Sequence, residues 1–229
     1  MMRIPQSLML AAGQLFDPAI LRVLAKSLAI TVVIFIGLAA GLNQLLPRLL
    51  GDYLDLDGDV YVVLSTLIVV IAAWLLFRII AIAVLQFFAD DVVRAVERRH
   101  YPQSLETARD LPLREDLANS LRGIGRALLV NAIALPIAAV LLFTAIGPAI
   151  VLLLANAILL GRELTDMAWL RHRAAGEAKS PVGTPSRFLL GLIVAGIMLI
   201  PFANLLAPVI GAAAGTHMFH LSRKKEANV

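Results

Sequence analysis

Residues 127–161 and 188–222 are two runs of 35 residues, and neither contains a charged side chain. One helix needs about 20 residues to cross a hydrocarbon core of ~30 Å, and two full crossings with a turn need more than about 40. Each run is too long for one span and short for two. Each is also punctuated beyond its middle, by Gly147-Pro148 in one and Ala207-Pro208 in the other, with the prolines 60 positions apart. Matching length and punctuation indicate a weak internal repeat. We expect each unit to be a helical hairpin with its apex at the proline. A reversal at membrane depth exposes backbone groups that lipid cannot satisfy. The apex must therefore be buried in protein, line a wet cavity, or reach the far interface as an ordinary turn. Pro201, Asn204 and Pro208 suit the second reversal, and Thr144 and Gly147 the first, because proline stops a helix and small polar side chains bond freed backbone.

The rest of the chain fits the same class. Hydrophobic residues make up 60% and charged residues 16%, with a mean hydropathy of +0.86. A soluble domain would carry roughly 25% charge. Residues 17–47 predict a first span, opened by Asp17 and Pro18 as N-cap and first helical residue and closed by Pro47. Residues 60–101 predict one long helix that runs past the membrane until Pro102, with Arg78 near the far end of its span and able to snorkel to the headgroups. Residues 1–16 predict a short interfacial helix. The hairpins are expected over 112–162 and 185–223, and 1–229 is expected to form a single membrane domain. There is no cysteine, which excludes disulfides and thiolate sites.

Charge gives the orientation. With the acidic turn "GDYLDLDGD" outside and both hairpins folding back, 18 of the 20 Lys and Arg lie inside, together with both termini. The same bias explains the net charge of +4 without a nucleic-acid partner. Asp55, Asp57 and Asp59 surround Gly58 too early for a calcium loop and serve as an acidic outer turn.

The segments "IPFANLLAPVIGAAAGTHMFHLSR", "NAILLGRELTDMAWLRHR" and "DDVVRAVERRHYP" resemble the CysZ-type sulfate transporter family, also called the etoposide-induced-protein domain. The likeness runs from about Asp17 to Arg223, and "IPFANLLAP" is its most specific part. It implies a bacterial inner-membrane protein with two long transmembrane helices, two hairpins dipping into the bilayer, and a homo-oligomeric assembly. The implied activity is sulfate uptake feeding cysteine synthesis. In that family a Pro-Gly followed by paired arginines holds sulfate where the first span begins. Here the stretch is "DPAILRVLAK": Pro18 and Arg22 match, Ala19 and Leu21 depart, and Asp17 adds a negative charge.

Candidate site residues follow. Arg22 and Lys26, four apart on one helix face, are the expected anion-binding pair or else inner-interface anchors. Arg162 and Asp166 have i,i+4 ion-pair spacing, and with Glu163 they are expected to orient the first hairpin. Thr144, Asn156, Asn204 and Thr216 are candidates for a hairpin tip or a permeation path, or for contacts between helices. His217 and His220 lie on one face at i,i+3, but metal binding would need further ligands, so no metal site and no cofactor are expected. No phosphate loop, nucleophile elbow or spaced carboxylate pair is present, and no enzymatic domain is expected. The leading expectation is an inner-membrane permease for an inorganic anion, most simply sulfate, acting by a passive or weakly coupled path. The alternative is a membrane scaffold or bilayer-shaping protein. The partners expected are the lipid bilayer, the anion and further copies of the chain.

Overall fold

A computed structural model describes residues 3–50, scattered positions between 63 and 84, and residues 88–109, 111–174, 177 and 179–226. Arg78 and the acidic turn at 55–59 lie outside the described residues. Among the described residues the chain is helical and has no strand. The helices are α1 (Arg3–Gly13), α2 (Pro18–Leu50), α3 (Ala89–His100), α4 (Leu113–Val140), α5 (Gly147–His172), α6 (Thr184–Met198) and α7 (Ala203–Glu226), with a 3-10 turn over Pro102–Thr107 between α3 and α4. Among the described residues, four helices contain a segment long and apolar enough to cross a membrane: Pro18–Leu38, Leu113–Phe143, Gly147–His172 and Ala203–Lys224. The fold is an all-α polytopic membrane protein.

The chain forms two compact units, one from Met1–Ile20 with Ala89–Val229 and the other from Leu21–Phe88. In the second unit Ile80, Val84 and Phe88 are buried, and Val23, Ile30 and Leu76 pack against them. The rings of Phe35 and Phe77 meet edge to face at 5.6 Å. Phe88 forms a turn, so the segment expected as one helix over 60–101 is interrupted there. The physical reason is a start signal: Asp90 and Asp91 occupy the first turn of α3, where negative charge favours a new N-terminus. Arg98, Arg99 and His100 fill the last turn, and Pro102 follows. At the other end of this unit's sequence, α2 continues past Pro47 to Leu50.

The first unit is built around α7, which packs against α1, α3, α5 and α6. The sequence of α7 explains its central place. "GAAAGT" presents almost no side-chain bulk, so neighbouring backbones approach closely. α5 and α6 touch at glycines. A Cβ at Gly161 would strike the Arg187 carbonyl, and one at Gly191 would strike the Ala157 carbonyl.

Both hairpins exist as helix–turn–helix units, α4–α5 and α6–α7. The first turns between Thr144 and Ile146, with Pro148 in the opening turn of α5. Thr144 Oγ1 donates to the Leu141 carbonyl at 2.8 Å and accepts from the Gly147 amide at 3.0 Å, which satisfies two otherwise open backbone groups. The second turn differs from expectation. It lies at Leu199–Phe202, and Pro208 is inside α7. Pro201 supplies the break, while the Ala203, Asn204 and Leu205 amides bond to the Pro201, Ile200 and Phe202 carbonyls. Proline within a helix removes only its own amide bond when neighbours hold the backbone. Ala207 and Val209 are buried on either side of Pro208, so packing holds the helix through it.

Candidate functional site

At the base of the two hairpins an acidic side chain gathers three arginines. Asp166 Oδ2 lies 3.3 Å from Arg162 Nε and 3.7 Å from Arg126 Nη1, and Asp166 Oδ1 lies 3.2 Å from Arg187 Nη2. Arg126 comes from α4, Arg162 and Asp166 from α5, and Arg187 from α6. Arg126, Arg162 and Arg187 are three of the four charges that border the two uncharged runs, Arg223 being the fourth. One carboxylate thus links both hairpins at the point where charge stops and the apolar arms begin. Three guanidinium groups exceed what Asp166 can neutralise, and Glu163 is exposed on the next turn position. Arg126 Nη1 and Arg187 Nε are buried with no hydrogen-bond partner among the described residues. Both side chains are ion-paired with Asp166, and guanidinium is the side-chain group best matched to an oxyanion. The sequence had shown the Arg162–Asp166 spacing. It gave no pairing for Arg126 and Arg187, whose one signal was their place at the ends of the runs.

The start of α2 is arranged differently. Asp17 caps the helix, its Oδ1 accepting from the Ala19 amide at 3.2 Å. The same carboxylate is gripped by Arg99, with Nε 2.9 Å from Oδ2 and Nη1 3.2 Å from Oδ1. Asp17 therefore already holds one of the N–H donors that an oxyanion would use there, and its charge is neutralised by an arginine 82 residues away. Arg22 and Lys26 are exposed on the following turns, and Lys26 Nζ sits 4.9 Å above the Phe88 ring.

The four expected tip or pathway residues occupy different settings. Thr144 is at the first turn, as described above. Asn156 is exposed on α5. Asn204 is buried at the start of α7. Thr216 is fully buried and donates to the Ala212 carbonyl of its own helix at 2.7 Å. Asn131 likewise bonds back to the Ala127 carbonyl at 2.8 Å.

A second polar cluster lies where α3, α5 and α7 end. Glu97, wholly buried on α3, accepts at Oε1 from His172 Nε2 at 2.8 Å and from His220 Nε2 at 3.4 Å. Arg171 Nε lies 3.4 Å from Glu97 Oε2. Burial pushes the Glu97 carboxyl up, but the two histidine hydrogen bonds and the Arg171 charge outweigh it and hold it at about 2. His217 takes another course. Its Nδ1 is 2.8 Å from the Tyr101 hydroxyl and its Nε2 is 2.7 Å from Gln14 Nε2 on the α1 side. Burial pushes the Tyr101 hydroxyl up to about 12, so it stays protonated. The i,i+3 histidine pair is thus divided between two partners. Beside Glu97, a cavity of about 210 Å³ is lined by Arg94, Arg98, Leu105, Ala108 and Arg171.

Among the described residues, four helices with apolar segments long enough to span, two hairpins and charge gathered at their bases define a multi-pass membrane protein. Residues 7–208 match the family described as "Sulfate transporter CysZ/Etoposide-induced protein 2.4", and the chain belongs to that family. No curated protein and no solved structure matches the chain. The match takes in "IPFANLLAP" at 200–208 and stops before the rest of that segment, residues 209–223.

Proposed function

We propose that this protein is a permease for an inorganic oxyanion, sulfate first among them, in the bacterial inner membrane. Membership of a sulfate transporter family supports the substrate class. The observation that carries the reading is the Arg126–Arg162–Arg187 group around Asp166, three guanidinium groups on one carboxylate where the apolar hairpin arms begin. Charge of this kind raises the local anion concentration and replaces part of the hydration shell at entry. Asp166 orients the arginines and binds the hairpins together, while Glu163 tempers the excess charge. Arg22 and Lys26 form a separate, exposed anion-attracting pair on α2. Asn156, exposed on α5, is the pathway residue best placed to meet solvent or solute; Thr144, Asn204 and Thr216 act in the hairpin backbone. Both termini lie in the cytoplasm, and the chain works as a homo-oligomer.

Radiolabelled sulfate flux into liposomes tests this reading. The expected result is uptake well above that of empty vesicles, reduced at least several-fold by Arg126→Ala or Arg187→Ala and less by Arg22→Ala. Flux equal to that of empty vesicles would reject sulfate permeation, and full flux in all three variants would reject the arginine assignment.

A further inference from the structure

Three buried side chains from three helices converge with donor atoms fit for a metal ion. Glu97, His172 and His220 are 0%, 3% and 8% exposed. Their ligand atoms all lie within 4.8 Å of one another, and both histidine Nε2 atoms point at one carboxylate oxygen, from 2.8 and 3.4 Å. Two imidazoles and a carboxylate form a donor set that zinc-class ions take at about 2.0–2.2 Å, with a fourth position left for water. Tetrahedral ligands at that range sit about 3.3 Å apart by geometry, and the two carboxylate–imidazole distances, 2.8 and 3.4 Å, lie on either side of that value.

The surroundings hold these groups in register. Thr107 Oγ1 lies 3.3 Å from His172 Nδ1, so in the tautomer with its proton on Nδ1 the ring donates there, and Nε2 exchanges its hydrogen bond to Glu97 for the ion. The Tyr101 ring stacks on His220 at 4.2 Å, and Phe219 stacks on His172 at 5.7 Å. Arg171 faces Oε2 rather than Oε1, so the ligating oxygen is spared.

We propose that Glu97, His172 and His220 bind one zinc-class divalent metal ion that pins α3, α5 and α7 together at the membrane edge. The site differs in position and charge preference from the arginine group, so it can fail while the permease reading stands.

Purified full-length protein in detergent, stripped with chelator, is titrated with cobalt(II) and zinc(II). The expected outcome is one ion per chain, a visible cobalt spectrum of four-coordinate type, and a higher unfolding temperature on loading. Affinity should fall at least tenfold in Glu97→Gln and in His220→Gln and stay unchanged in His100→Gln, which alters an exposed neighbour. Wild-type uptake no greater than that of the His172→Gln/His220→Gln double variant would overturn the proposal. Because those variants could fold poorly, X-ray absorption at the zinc edge of the loaded wild type gives an independent reading. Two imidazole ligands are expected, and a spectrum without imidazole scattering would equally overturn the site.

Discussion

The two hairpins begin as equal lengths of uncharged sequence and end in opposite surroundings. In the first, the spanning segment of α4 is 11% buried and that of α5 is 22% buried; in the second, that of α7 is 78% buried. Side-chain size accounts for the difference. α4 carries Leu128, Leu129, Ile133, Leu135 and Val140 outward, all more than half exposed, as suits contact with lipid tails. α7 replaces such residues with alanine and glycine, and there its neighbours approach at backbone distance. Without a hydrophobic force between helices in lipid, close packing of small residues becomes the source of association. Hydropathy sends both hairpins to the membrane, and side-chain volume decides which one becomes its core.

The sharpest way to break that contrast is to add bulk. Gly191→Leu would drive a side chain into the Ala157 carbonyl and should cost at least about 3 kcal/mol, enough to lose the folded protein from gel filtration. Gly125→Ala in α4, where a Cβ meets nothing within 4 Å, should be neutral or stabilise by up to about 1 kcal/mol. Equal unfolding temperatures for the two variants would refute the assignment of core and rim.

Next in size is the charge that joins the hairpins. Asp166→Asn leaves three arginines unneutralised and should cost about 1–3 kcal/mol, the lower half of the range reflecting the exposure of Arg126 and Arg162. Adding Arg162→Gln to Asp166→Asn should recover part of the loss in thermal unfolding. A double variant no better than the single one would show that Asp166 does not act through these arginines.

The turns are expected to matter less, and unequally. Thr144→Ala removes the hydroxyl that serves the Leu141 carbonyl and the Gly147 amide, and should cost about 0.5–1 kcal/mol. At the second turn Phe202 has a φ of 65°, in the left-handed region that a bulky residue adopts at a cost, and its side chain is 86% exposed. Phe202→Gly should relieve about 1 kcal/mol of strain and lose part of it to the greater freedom of the unfolded chain, for a net gain of a few tenths. A marked destabilisation in detergent would mean that the exposed ring makes contacts that outweigh the backbone strain.

Much of the plan could be read from residue order. Runs too long for one span and too short for two, bordered by arginines, indicated hairpins, and Asp17-Pro18 indicated the start of α2. The second turn was misplaced because Pro208 and Pro201 both break a helix in isolation, and only the packing of Ala207 and Val209 shows which one is tolerated. Pairings at long range were invisible. His217 and His220 share a helix face, yet one goes to Tyr101 and Gln14 and the other to Glu97. Local spacing measures neighbours on one helix, whereas these partners are 116, 203 and 123 residues away.

By itself the sequence determined that this chain belongs in a bilayer and folds into hairpins, because uncharged length and flanking charge are set against a hydrocarbon layer of fixed thickness. Tertiary structure alone decided where the second hairpin turns, which arginines gather on Asp166, and which histidines reach Glu97. Those outcomes depend on how closely helices approach, and that distance is set by side chains meeting across the fold.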